Sequence, residues 1–321
     1  MKNKLRLHAI KQILAYRVVS VISRVLTPIE VFCVKRYKGE IKYPPIFMIG
    51  APRTGSTILY EYITHYLDVV YINNLMCIFH RILYLGYVIS RVVLRNKQHG
   101  CFDSENGSTS GLNSPSECGE FWYRWVPTDR HFVDFNELDN LQIAQIHDIV
   151  RSVVNASNKP IVFKNMNCGQ RLRIIKDIFP NALFIYCKRD PLYTAQSLIE
   201  VREKVYKSRT KWWSIMPREY DELIKLDYPE QVVKQIYYIQ KQIEEDLCLF
   251  ARRQSIEVWY ESFCESPKLT IERIRDFMLQ NGIEATYRSE VIQRRANLSQ
   301  QRRIDKATYD RLNEIINSLD W

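Results

Sequence analysis

The segment Gly50-Ala51-Pro52-Arg53-Thr54-Gly55-Ser56-Thr57 carries the residue types that hold a phosphate or sulfate through the main chain. Glycines permit a tight turn and a close approach of backbone to anion, and the hydroxyls of Ser56 and Thr57 can donate hydrogen bonds. Where such a turn opens a helix, the first N–H groups and the helix dipole favour negative charge. A loop for nucleoside triphosphates would read G-x-x-x-x-G-K-[ST], with the Lys reaching the terminal phosphates and the hydroxyl holding magnesium. Here Ser56 stands at the Lys position, and the cation has moved inside the loop to Arg53. Metal-free group transfer fits this pattern better than magnesium-dependent phosphoryl transfer.

A second anion site is expected around Lys188-Arg189-Asp190-Pro191 and Ser197. A guanidinium fork and a hydroxyl eight residues later can close on the same phosphate. Two such sites suggest a doubly phosphorylated nucleotide, provided the fold brings them to one edge.

The elements that would do so are legible as short apolar runs. Ile46-Phe47-Met48-Ile49 reads as a buried strand running into the loop, and Ile58, Leu59, Tyr62, Ile63, Tyr66 and Leu67 have helical spacing after it. Residues 160–164, 182–187 and 256–260 read as further strands, while 140–156, 171–179, 228–252, 267–280 and 287–318 read as helices. Residues 70–95 also read as helical, whereas 101–120 are rich in loop formers. Alternation of this kind implies an α/β fold, a parallel sheet flanked by helices, and ligands of such sheets collect at the carboxyl ends of the strands.

Composition supports a packed enzyme-sized chain. The 321 residues are 46% hydrophobic with 10 Gly and 12 Pro, which excludes disordered and collagen-like chains. The 46 Lys and Arg against 36 Asp and Glu leave +10, a bias toward anionic partners. Eight cysteines show no Cys-x-x-Cys pair and no zinc-site spacing, so they read as reduced structural thiols of a cytoplasmic protein, and no metal is expected. No run reaches the roughly 18 apolar residues of a membrane span. Residues 1–42 form a basic helical N-terminal extension with a break expected at Pro28; residues 43–321 read as a single domain. The extension's ten cations, opposed by Glu30 and Glu40, would allow peripheral contact with the inner membrane surface. A solvated basic face packed on the main domain is the plainer account of the same residues.

Pro52-Arg53-Thr54-Gly55-Ser56-Thr57 resembles the 5′-phosphosulfate loop of sulfotransferases, and Arg189-Asp190-Pro191 through Ser197 resembles their 3′-phosphate site. The resemblance covers about residues 44–280. It implies a P-loop, nucleotide-kinase-like sulfotransferase fold and 3′-phosphoadenosine-5′-phosphosulfate (PAPS) as donor. By that likeness Arg53, Thr54, Gly55, Ser56 and Thr57 hold the 5′-phosphosulfate, Arg53 also supplies positive charge to the leaving phosphate, and Arg189 and Ser197 hold the 3′-phosphate.

Transfer to a hydroxyl needs a base. Glu117, in Ser114-Pro115-Ser116-Glu117, resembles the P-x-E element of bacterial and Golgi-like carbohydrate sulfotransferases, which points to a glycan hydroxyl as acceptor. Glu120, His80 and His131 are rivals, and Lys164 could assist near the donor or be a surface lysine. The aromatic clusters 121–125 and 211–213 could stack on sugar rings or pack internally. Arg294-Arg295 and Arg302-Arg303 could close over the nucleotide or line a solvated helix. Two other readings stay open: a small-molecule P-loop kinase, and a non-catalytic basic module binding nucleic acid or membrane. Paired anion sites favour the nucleotide-dependent enzyme, with no nucleic-acid partner.

Overall fold

A computed structural model describes residues 2–95, 97–100, 102, 104–105, 107–291, 298 and 300–321, with no side-chain description for 2–18, 104, 105 and 108. Strands β1 (Ile46–Gly50), β2 (Val70–Tyr71), β3 (Ile161–Lys164), β4 (Leu183–Lys188) and β5 (Ser255–Trp259) form one sheet. Its order is β2-β3-β1-β4-β5, and every pairing is parallel. The expected α/β architecture is thus present, with the loop-bearing strand at its centre.

Around the sheet lie helices α1 (Lys2–Arg36), α2 (Ser56–Tyr66), α3 (Leu83–Leu94), α4 (Asn140–Ser157), α5 (Leu172–Ile178), α6 (Pro191–Tyr206), α7 (Tyr228–Asp246), α8 (Pro267–Gln280) and α9 (Lys306–Asn317). The period-2 alternation of the strands divides the core between the two sheet faces. Phe47, Ile49, Phe163 and Phe184 pack with α4, α5, α6 and α7, where the Phe47 and Phe163 rings stack with centroids 5.1 Å apart. Ile46, Met48, Val162 and Ile185 face the other way, against α2 and α8.

Three sequence expectations are corrected. Residues 70–95 do not start as helix: Val70 and Tyr71 pair with Ile161 and Val162 as an edge strand, and the Asn73 side chain caps the short helix that follows by accepting from Met76 N. The β-branched character of Val69-Val70 prevails there over an apolar run of ambiguous period. Residues 287–291 are not helical, because Arg288 N bonds Tyr66 O at 2.8 Å and Leu67 bridges Tyr287, which holds this stretch against the end of α2. Residues 292–297 and 299 lie outside the described residues, 300–305 are not helical, and a helix runs from Lys306, capped by Asp305. Pro28 does not break α1. It lies on the exposed face, where the carbonyl four residues earlier can bond to water instead of the missing N–H.

Helix α1 is held by its own inward face. Glu30 is 4% exposed, and its carboxylate accepts from Tyr84 N and Leu85 N, both at 2.9 Å, at the start of α3. Burial raises its pKa despite those two bonds.

Candidate active site

The loop after β1 is shaped by close approach. A Cβ on Gly50 would stand 2.4 Å from Cys187 O, and one on Gly55, whose φ is +75°, would stand 2.1 Å from the Tyr260 ring. Arg53 is also left-handed, at φ 70°, an unfavourable state for a residue with a Cβ. The Thr54 hydroxyl is spent inside the loop, donating to Ala51 O at 3.0 Å. Ser56 starts α2, so its N–H and those of the next residues have no carbonyl four positions back within the helix.

Because β4 runs beside β1 with Gly50 opposite Cys187, Arg189 leaves the sheet next to this loop. Asp190 caps α6 by accepting from Leu192 N and Tyr193 N, with Pro191 in the first turn. That local device turns the chain and leaves the Arg189 side chain to reach Arg53 O at 3.1 Å while its guanidinium lies 4.7 Å over the Tyr260 ring. In return, Arg53 Nε donates to Ser197 Oγ at 3.0 Å. The structure therefore brings Arg53, Arg189 and Ser197 together.

A third guanidinium joins them. The pKa of Arg53 is lowered by burial first and then by the positive charges of Arg189 and Arg303, against the opposing pull of Glu200. Arg189 is likewise lowered by burial, with Tyr260 and Glu261 acting against it and Arg303 adding to it. Arg303 is anchored by an ion pair to Glu200 at 2.7 Å and by its N–H to Gln196 Oε1 at 2.8 Å. Arg294 and Arg295 lie outside the described residues.

On the opposite side of β1, Met48 pairs with Lys164 at the end of β3. Lys164 is not a surface lysine: it is 2% exposed. Its Nζ donates to Thr57 Oγ1 at 2.9 Å and to the Glu117 carboxylate. Glu117 keeps an outward face, with 37% of its side chain exposed. Its loop is pinned by Ser116 N to Ile72 O and Asn74 N to Ser114 O, at 2.8 and 3.0 Å.

Among the other candidate bases, Glu120 accepts from Cys77 Sγ at 3.6 Å. Cys77, Cys118 and Glu120 bring ligand atoms within 4.8 Å of one another, a grouping hidden in the sequence by the distance between the two cysteines. His80 Nδ1 bonds Cys77 O at 3.1 Å. His131 Nδ1 accepts from Met216 N at 2.8 Å, and its pKa falls to about 4 through burial and then the nearby Arg171 charge. Both histidines are engaged in holding backbone.

A cavity of about 650 Å³ joins these parts, lined by Arg53, Gly55, Ser56, Thr57, Glu117 and Glu120 together with Lys164, Arg189, Tyr123 and Trp213. Small-molecule sites have about this size, roughly 300–1,000 Å³. Of the aromatic clusters, Phe121 and Trp122 are buried in the core and Trp212 packs edge-on against Tyr220; Tyr123 and Trp213 reach the cavity. Converging guanidiniums, a loop too tight for side chains at Gly50 and Gly55, and the start of a helix suit a ligand with more than one anionic group.

Residues 44–280 match the family model described as the sulfotransferase family. The omega-hydroxy-beta-dihydromenaquinone-9 sulfotransferases Stf3 of Mycobacterium bovis and Mycobacterium tuberculosis are each 25% identical over 183 residues, 51% of this chain and 46% of theirs. The matched region thus spans less than half the length of these relatives. Among solved structures, sulfotransferase STF1 of Mycobacterium tuberculosis H37Rv is similar with a TM-score of 0.49 and 13% identity, covering 94% of this chain and 82% of that one. Sulfotransferase STF9 of Mycobacterium avium gives 0.47 and 13%, covering 87% and 69%. The family match extends over well more than half of the residues and includes residues 50–57 and 189–197, and the chain belongs to the sulfotransferase family.

Proposed function

We propose that the protein transfers a sulfuryl group from PAPS to a hydroxyl of a carbohydrate acceptor. The observation that carries this reading is the joining of the two anion sites: Arg189 and Ser197 both contact Arg53 of the loop, so one nucleotide can span them. PAPS supplies the activated sulfuryl group. The first-turn N–H groups of α2 and the hydroxyls of Ser56 and Thr57 hold the 5′ end, while Arg189 and Ser197 hold the 3′-phosphate. Arg53 stands between the two ends. It stabilises the negative charge that grows on the leaving phosphate oxygen and, because it is turned toward Ser197, also shares in binding the 3′ end.

Glu117 is the base we assign, taking the proton of the acceptor hydroxyl. Lys164 orients that carboxylate and, through Thr57, ties it to the donor loop. Glu117 meets the cavity beside Gly107 and Lys164, whereas His80 and His131 are committed to backbone partners. Tyr123 and Trp213 offer flat faces to a sugar ring. A lipid hydroxyl is the second reading, favoured by the named acceptor of the mycobacterial relatives, an omega-hydroxylated dihydromenaquinone.

The test is transfer of labelled sulfate from PAPS to a panel of glycans, hydroxylated isoprenoid quinones, tyrosine peptides and phenols. Label on glycans supports the first reading, label on the quinones the second. No transfer to any hydroxyl, with labelled phosphate from ATP accepted instead, would establish the kinase alternative.

A further inference from the structure

Helix α1 presents its apolar stripe away from the side it buries. Ser23, Glu30 and Val34 are buried against the body of the protein, yet Val21, Val25, Ile29 and Phe32 are 58%, 70%, 49% and 65% exposed. At about 100° per residue, these four and Ile22 fall within one arc of roughly 100°, opposite the inward residues. Arg24 and Lys35 lie along one edge of that arc and Arg36 within it. A helix whose apolar stripe faces outward requires a cover, since contiguous exposed apolar surface marks an interaction site.

The charge around the stripe selects the cover. Over residues 19–38 the exposed ionic groups of this segment are Arg24, Lys35, Arg36 and Lys38. The carboxylate in the same span, Glu30, is turned inward to cap α3. Upstream, residues 2–18 add Lys2, Lys4, Arg6, Lys11 and Arg17 with no Asp or Glu. At about 1.5 Å per residue the helix is about 52 Å long, and among the described residues no helix is long and apolar enough to cross a membrane.

We infer that α1 lies in the plane of an anionic bilayer surface, with Val21, Val25, Ile29 and Phe32 entering the headgroup region and the flanking cations pairing with lipid phosphates. Pro28 suits this placement, because on the outward face its carbonyl partner can be satisfied by water or headgroups. The inference rests on the helix alone and stands apart from the reaction proposed above. It also gives the protein a means of working where a lipid-linked acceptor resides.

The experiment is co-sedimentation of the full chain with vesicles of phosphatidylcholine alone or of phosphatidylcholine and phosphatidylglycerol at 7:3. The parent is expected to partition at least tenfold more strongly onto the anionic vesicles, with the difference shrinking in 0.5 M salt. Val25→Glu with Phe32→Glu, and separately Arg24→Glu with Lys35→Glu, should each lower partitioning at least tenfold while the unfolding temperature stays within a few degrees of the parent's. Equal partitioning onto the two vesicle types, or unchanged partitioning of the folded Val25→Glu/Phe32→Glu variant, would overturn the inference. So would a dimer in lipid-free sedimentation equilibrium that this variant dissociates, which would assign the stripe to a second copy of the chain.

Discussion

Arg53 Nε donates to Ser197 Oγ at 3.0 Å, so a side-chain bond joins the loop after the central strand to the helix after its neighbour. If the two ends of one nucleotide occupy these elements, Arg189→Ala removes a charged donor from the 3′-phosphate. Donor affinity should fall roughly 10- to 100-fold, the equivalent of about 1.5–3 kcal/mol. Ser197→Ala should cost roughly tenfold or less. Titration calorimetry with adenosine 3′,5′-bisphosphate checks both, and affinities equal to the parent's would exclude these residues from the site.

Arg53→Ala should act on turnover as well as on binding. Loss of a donor aimed at developing charge lowers kcat by about 10²–10³-fold, whereas a residue that served binding alone would change the donor KM with kcat intact. Saturating-donor kinetics separate the two outcomes.

The Glu117–Lys164 pair predicts coupling. Glu117→Gln should lower kcat by about 10²–10⁴-fold. Lys164→Met should also lower it, by misplacing the carboxylate and freeing Thr57. The double variant should be little worse than Glu117→Gln, because neighbours acting as a unit are not additive. Activity of Glu117→Gln within a few-fold of the parent would shift the assignment to Glu120.

The residues behind these predictions are unequally legible in the sequence. The loop of β1 and the Arg189-to-Ser197 pair are local: strand, turn residues and helix start follow one another in the chain. Lys164 was visible as a strand end, but its burial and its bond to Glu117 depend on parallel pairing between segments far apart in the chain. Arg303 was visible as one of two adjacent arginines. Its approach to Arg53 and Arg189 comes from Gln196 and Glu200 holding it against α6, which no spacing rule encodes. The same holds for β2, two residues long and defined by its partner.

His131 should govern part of the acid limb of stability. Its folded pKa lies near 4, below the ordinary 6.5, so the unfolded chain takes up a proton that the folded chain refuses. Its contribution is complete above pH 6.5 and is lost as pH falls toward 4, by up to about 1.4 kcal/mol per pH unit. His131→Gln should flatten the fall of unfolding temperature over this window; a slope identical to the parent's would contradict the account.

If Arg53 supplies the positive charge for the leaving phosphate, as proposed above, turnover should survive EDTA. Loss of activity in chelator, restored by magnesium, would instead favour phosphoryl transfer.

The most direct measurement compares adenosine 3′,5′-bisphosphate with adenosine 5′-monophosphate by calorimetry on the parent and on Arg189→Ala. The parent should prefer the bisphosphate at least tenfold, and the variant should lose that preference while still binding the monophosphate. Equal affinity of the parent for both nucleotides, or a preference untouched by the substitution, would contradict a single donor bridging the two sites.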